Sequence, residues 1–200
     1  EIPEHWRRLR GIDFGYRDPF VCLWAAVVEE AQRGMDKGTL LIYREYYQPG
    51  RAMLDHAASI KRLTGDERVA YTVADSAEQQ SIEDLLRYGV PCFNANKDRR
   101  AGRMAVGDYL RTGKIRFFRN RCPETLKELH FYRWDADKDK EGAKESTVGD
   151  DHAMDALRYL VMTRPSVTPP ARRVPLGSFE HEREQRTRER VMQAWTAGVS

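Results

Sequence analysis

Nine residues, Phe20 to Val28, form an almost continuously apolar run. Such a run suits a strand buried within a sheet, because a strand with one wet face alternates apolar and polar side chains. Its neighbours in sequence are strand-like too. Leu9 to Phe14 is short and apolar and opens into a turn at Gly15. Gly34-Met35-Asp36-Lys37-Gly38 is a turn signal, and Thr39 to Tyr47 follows as the next strand. The three predict an antiparallel meander, closed by Pro49-Gly50. Tyr43, Tyr46 and Tyr47 alternate too irregularly for a base-stacking platform and read as core and sheet face.

Beyond the meander the periodicity changes. Met53, Ala57, Ile60 and Leu63 recur at helical spacing, so a helix is predicted over Met53 to Leu63. Arg68 to Val73 is a short strand ending at Ala74-Asp75-Ser76; Gln79 to Tyr88 is a helix with Asp75 or Ser76 placed to cap it and Gly89 to stop it. A strand over Val90 to Phe93, a helix over Ala101 to Leu110, a strand over Ile115 to Phe118 and a helix over Pro123 to Phe131 follow. Asp135 to Lys144 is charge, Ala and Gly, which predicts an exposed loop or hairpin. Asp150 to Met162 is a helix with an acidic start and a stripe of Ala153, Leu157, Leu160 and Val161. Three strands followed by alternating helices and strands give an α/β fold, a central mixed sheet flanked by helices. One domain is expected over residues 1–164. Pro165, Pro169, Pro170 and Pro175 mark a linker, and residues 165–200 form a charged tail, helical or disordered, with i,i+4 pairs such as Glu182/Arg186 but little to bury.

Composition removes several classes. No stretch approaches the roughly 20 apolar residues of a membrane span, so no membrane partner is expected. The first residues, Glu1-Ile2-Pro3-Glu4, lack an initiator Met and a signal pattern, and read as a piece of a longer chain. Cys22, Cys92 and Cys122 are far apart and odd in number, which suggests reduced thiols of an intracellular protein and no CxxC metal site. Neither a G-x-x-x-x-G-K-[ST] phosphate loop nor a G-x-S-x-G nucleophile turn occurs. The net charge is only +3, but Asn94 to Arg121 holds nine basic residues against Asp98 and Asp108, a local +7 that leaves −4 for the rest. Lys97, Arg99, Arg100 and Arg103 lead this segment; it reads either as a surface for a polyanion or as an ordinary solvated Arg-rich face.

The chemistry lies in three separated acidic positions. Asp13 sits in a strand between Ile12 and Phe14, pointing opposite to both, and an acid there is costly unless paired or bound to a cation. Asp75 stands at a strand end, where α/β folds gather ligands. Asp151 and Asp155 are four apart at the start of the last helix and so share a face. Taken singly, Asp75 could be a helix cap and Asp150 and Asp151 favourable helix-start charges. As a set, they suit hard divalent ions such as Mg²⁺ or Mn²⁺, two of which can activate water and stabilise the leaving oxygen of a phosphodiester. His152 adjoins them and could accept a proton, orient a ligand, bind metal, or serve only as a cap. Glu78, after Asp75, is a weaker candidate for a supporting role. His5, His56, His130 and His181 have no acidic pattern around them.

Gly11-Ile12-Asp13-Phe14-Gly15-Tyr16-Arg17-Asp18-Pro19 resembles the first motif of the nuclease domain of tailed-phage terminase large subunits. Ala74-Asp75-Ser76 looks like the second, and Asp150-Asp151-His152-Ala153-Met154-Asp155-Ala156-Leu157-Arg158-Tyr159 is similar to the third. Asn96-Lys97-Asp98-Arg99-Arg100-Ala101-Gly102 resembles the basic segment between the second and third motifs. The resemblance implies a ribonuclease H-like fold and a metal-dependent endonuclease that cuts concatemeric viral DNA during genome packaging in the host cytoplasm. By that likeness Asp13 would bridge two metal ions. Asp75 would hold one, and Asp155 with Asp151 or His152 the other; catalysis would rest on Asp13, Asp75, Asp155 and His152. Implied partners are double-stranded DNA, a packaging ATPase domain of the same full-length chain, the portal and the small terminase. Two other readings are a non-catalytic DNA-binding and assembly module on the same fold, and another ribonuclease H-like nuclease such as a junction resolvase.

Overall fold

The computed structural model describes residues 1–96, 98–131, 133–134, 147–148 and 151–163. The expected loop at 135–144, Lys97, Asp150 and the tail at 165–200 lie outside the described residues. The meander forms as predicted, with β1 over Arg8–Asp13, β2 over Phe20–Val27 and β3 over Leu40–Gln48, all antiparallel neighbours. Every residue of β2 is buried. After helix α1 (Met53–Thr64), β4 (Val69–Ala74) pairs parallel to β1. Helix α2 (Gln79–Arg87) leads to β5 (Phe93–Asn94), parallel to β4. Helix α3 (Arg99–Arg111) leads to β6 (Ile115–Phe117), parallel to β3 on the far edge. The six-stranded mixed sheet runs β5-β4-β1-β2-β3-β6. Helix α4 (Pro123–Phe131), a short antiparallel pair of β7 (Arg133–Trp134) and β8 (Thr147–Val148), and helix α5 (His152–Thr163) complete the described chain.

The apolar run of β2 is buried because both sheet faces are covered. Val21, Leu23, Ala25 and Val27 join one core with Leu157 and Leu160 of α5 and Val106 of α3. Phe20, Cys22, Trp24 and Ala26 join the other with Ala57 and Ile60 of α1 and Ile82 and Leu85 of α2. Each fully buried Leu of α5 contributes about 1.5–3 kcal/mol of transfer free energy. The charge in β1 is accommodated as well: Arg10 donates from Nε to Thr72 Oγ1 at 2.9 Å and from Nη1 to Thr64 Oγ1 at 3.1 Å. Tyr43 and Tyr46 are buried in the core, as the irregular spacing suggested.

The element ends differ from expectation where local bonds intervene. The strand predicted at Val90–Phe93 pairs only at Phe93 and Asn94, since Val90 N donates back to Leu85 O of α2 at 2.8 Å and Pro91 has no N–H. Helix α3 starts two residues early because Asp98 caps it, its side chain accepting from Ala101 N at 2.9 Å. Asp75 does not cap α2; its Oδ1 accepts from Ala77 N at 2.9 Å, two residues on, and the helix begins after Glu78. Helix α5 begins at His152, so Asp151 lies just outside it, its carbonyl accepting from Asp155 N at 2.7 Å.

Candidate active site

Asp13 is the last residue of β1 and, by strand alternation, faces α5 with Leu9 and Gly11. Helix α5 comes unusually close to that strand. A Cβ on Gly11 would stand 2.5 Å from Ala156 O and 2.6 Å from Leu160 Cγ, so only glycine admits the helix here. This approach brings the first turn of α5 onto the end of β1. His152 Nδ1 donates to Asp13 Oδ2 at 3.1 Å. One turn along, Asp155 Oδ1 accepts from Arg158 Nε at 3.1 Å, and the Arg158 side chain is 3% exposed, with its guanidinium over the Tyr159 ring at 4.4 Å. Parallel β4 ends beside β1, with Ile12 opposite Ala74, so Asp75 follows at the same sheet end as Asp13.

Electrostatics ties the acids together. Burial pushes the Asp13 carboxyl up to about 6, the His152 hydrogen bond opposes this, and the charges of Asp155 and Asp75 add to the rise. Tyr159 responds to the same field: burial raises its phenol most, followed by Asp155 and Asp13, with Asp75 also contributing. The Asp13 hydrogen bond pushes His152 up to about 9 despite partial burial. At neutral pH the ring is therefore protonated and donates to Asp13. Asp151 and Glu128 add to the negative field on His152.

Of the residues singled out in sequence, Asp13, Asp75, Asp155 and His152 thus share one end of the sheet, with Asp151 at its margin. Asp13 is buried; Asp75, Asp151, His152 and Asp155 are half-buried and within reach of water. Arg99 and Arg100 are exposed and Arg103 half-buried on the first turns of α3, which packs against α5. Lys97 lies outside the described residues. Glu78 is not part of the acidic group; with His56 and Tyr16 it lines a cleft of about 540 Å³ beside Phe14. Two residues that sequence reasoning left without a role also bear on the group: Arg158, which holds Asp155, and Glu128, which accepts from Ala153 N and Met154 N at the start of α5. The spacing of Asp155 and Arg158, three apart on one helix, was the available signal for the first.

Oxygen donors of this kind suit a hard divalent ion, which would relieve the burial of charge on Asp13 and the smaller repulsion from Asp155 and Asp75. Among the described residues no three His, Cys, Asp or Glu groups are drawn together into a closed cage. His152 and Arg158 instead neutralise two of the three carboxylates.

Large terminases of several phages are similar to this chain in sequence or in fold. The chain is 29% identical over 160 residues to the terminase large subunit of Escherichia phage T5, covering 78% of this chain and 35% of that one. It therefore spans about a third of the curated relative it matches. Its fold superposes on the P22 large terminase nuclease domain with a TM-score of 0.67 at 17% identity, covering 82% and 84% of the two chains. The nuclease domain of the large terminase from bacteriophage SPP1, solved with bound Mn, gives a TM-score of 0.54 at 22% identity, covering 76% and 84%. These likenesses agree with the ribonuclease H-like α/β fold expected from the sequence. Residues 10–164 match the family model described as the terminase RNaseH-like domain, and the chain belongs to that family.

Proposed function

We propose that this domain is a divalent-metal-dependent endonuclease that cuts double-stranded viral DNA during packaging. The observation that carries the reading is the convergence of Asp13, Asp75 and Asp155 on one sheet end, where burial and then the charges of Asp155 and Asp75 raise the cost of ionising Asp13. Asp13, Asp75 and Asp155 would hold divalent metal, Mg²⁺ or Mn²⁺, as one ion or a pair, with Asp151 as the further donor. The bound metal would supply Lewis-acid activation of the phosphodiester and of the attacking water. His152, protonated and anchored on Asp13, would hold a proton at Nδ1 and orient the Asp13 carboxylate. Arg158 would keep Asp155 turned toward the group. Arg99, Arg100 and Arg103 would carry the DNA backbone across α3, contacting phosphates without reading sequence. The bound Mn of the SPP1 domain supports the choice of metal.

A chain that spans about a third of the T5 large subunit leaves room for a packaging ATPase on the same polypeptide, acting with the portal and the small terminase in the host cytoplasm. The test is cleavage of supercoiled plasmid in Mn²⁺ or Mg²⁺ by the wild type and by Asp13→Asn, which removes a ligand charge at almost constant volume. Cleavage by the wild type and loss in the variant are expected. Full cutting by a folded Asp13→Asn protein would overturn the assignment, and a wild type with no metal response would favour a non-catalytic DNA-binding module. Preference for branched over linear DNA in the same assay would indicate a resolvase.

A further inference from the structure

The first turn of α5, which presents His152 and Asp155, is held from outside the helix. Glu128 of α4 is 6% exposed and uses both carboxylate oxygens. Oε2 accepts from Ala153 N at 2.8 Å and from Met154 N at 3.2 Å, while Oε1 accepts from the Tyr47 hydroxyl of β3 at 2.8 Å. The helix that carries Glu128 is anchored in the same way. Glu45 of β3 accepts from Glu124 N at 2.8 Å and, through its other oxygen, from Thr125 N at 2.9 Å and Thr125 Oγ1 at 2.6 Å. Two carboxylates thus hand the register of the sheet from β3 to α4 and from α4 to α5.

A short polar side chain would satisfy two helix N–H groups at lower cost than a buried carboxylate, whose charge must be desolvated. Burial does raise Glu128 above the ordinary glutamate range, against the pull of its three donors. The two N–H groups it holds belong to the residues between His152 and Asp155. We propose that Glu128 is a positioning residue for the acidic site: it sets the first turn of α5 and, through it, the approach of His152 and Asp155 to Asp13. The functional part of this inference rests on the nuclease reading; the geometric part does not.

The 200-residue chain is compared with Glu128→Ala, Glu128→Gln, Tyr47→Phe and a control, Val90→Ala, which thins the core on the other face of the sheet. Three quantities are read: thermal unfolding, the His152 ring resonances at one fixed pH, and the Mn²⁺ concentration giving half-maximal plasmid cleavage. Glu128→Ala should move the His152 signals and raise the half-saturating Mn²⁺ about tenfold or more, the range typical for residues that orient metal ligands, with KM for DNA unchanged. Glu128→Gln keeps an oxygen for the two N–H groups and should restore both readouts. Tyr47→Phe should shift the His152 signals by a smaller amount. Val90→Ala should lower the unfolding temperature and leave His152 and the Mn²⁺ dependence alone. A folded Glu128→Ala protein with wild-type His152 signals and Mn²⁺ dependence overturns the proposal. If Glu128→Ala does not fold, unchanged His152 signals in Tyr47→Phe overturn it instead. A wild type that cleaves no plasmid in Mn²⁺ or Mg²⁺ defeats the nuclease reading, while the His152 signals still decide the positioning role.

Discussion

His152 and Asp13 meet at 3.1 Å although 139 residues separate them, and both side chains are mostly removed from water, at 19% and 12% exposure. The pair joins the end of β1 to the start of α5. With Asp13 raised to about 6 and His152 to about 9, both are charged at neutral pH. Their attraction offsets the repulsion that Asp155 and Asp75 exert on Asp13. His152→Ala should therefore leave a buried carboxylate facing two others, and cost about 2–3 kcal/mol at pH 7, below the range for fully buried pairs because some water reaches both groups. Added Mn²⁺ should raise the unfolding temperature of this variant by more than it raises that of the wild type. Calorimetric scans with and without Mn²⁺ measure both effects, and an equal Mn²⁺ response would argue against a cation-demanding cluster.

Helix α3 offers the same substitution at two glycines with opposite expected signs. A Cβ on Gly102 would meet Arg158 Cγ at 2.5 Å and Cδ at 2.7 Å, in the middle of a buried side chain that holds Asp155. A Cβ on Gly107 would meet nothing within 4 Å. Gly102→Ala should destabilise by about 1–3 kcal/mol through overpacking and disturb Asp155. Gly107→Ala should stabilise by about 0.5–1 kcal/mol, since alanine replaces glycine in a helix interior at no steric cost. Denaturant unfolding of the two variants checks the stabilities. Plasmid cleavage should fall in the first and hold in the second.

Much of this arrangement was legible before the fold was seen. The unbroken apolar run of β2 announced a strand covered on both faces, and the chain supplies α5 and α3 for one and α1 and α2 for the other. That Asp13 and Asp75 end up at one end of the sheet was legible from two apolar strands that each close on an acid, although Asp75 taken singly reads as a helix cap. Periodicity tells which face of an element is buried, but not which elements meet. Glu128 thus carried no signal in the sequence, although it points inward with Thr125, and its partners lie in β3 and α5. His56 was silent for a related reason: its neighbours in sequence are unremarkable, while in space it stacks on Phe20 at 4.0 Å.

The basic patch makes a separate prediction. Arg99 and Arg100 are exposed at the start of α3, on the helix that packs against the site-bearing α5. If they contact phosphates, each Arg→Ala should lower the slope of log affinity against log salt by about 0.9, and weaken binding alike for unrelated duplex sequences. Thermal stability should stay within about 0.5 kcal/mol of the wild type, as for other surface changes. Binding titrations at several salt concentrations, using DNA of two sequences, measure this. A slope that does not move would remove α3 from the DNA path.

His56 gives the chain a pH dependence that is independent of the acidic site. The ring is 1% exposed, its Nδ1 shares a 3.0 Å hydrogen bond with the Tyr46 hydroxyl, and burial, followed by the charge of Arg51, holds its pKa below the usual histidine value of 6.5. The unfolded chain therefore binds this proton more readily than the folded one. The contribution of His56 to stability is complete above about pH 6.5 and declines as the pH falls through the unfolded value toward the lower folded one. His56→Gln can keep a hydrogen bond to Tyr46 but loses the stack on Phe20, so it should be less stable at pH 7.5 by about 1–3 kcal/mol. It should also lose this part of the decline between pH 7 and pH 5. Urea midpoints of the two proteins across that range measure the difference, and parallel profiles would show that His56 titrates alike in the folded and unfolded chains.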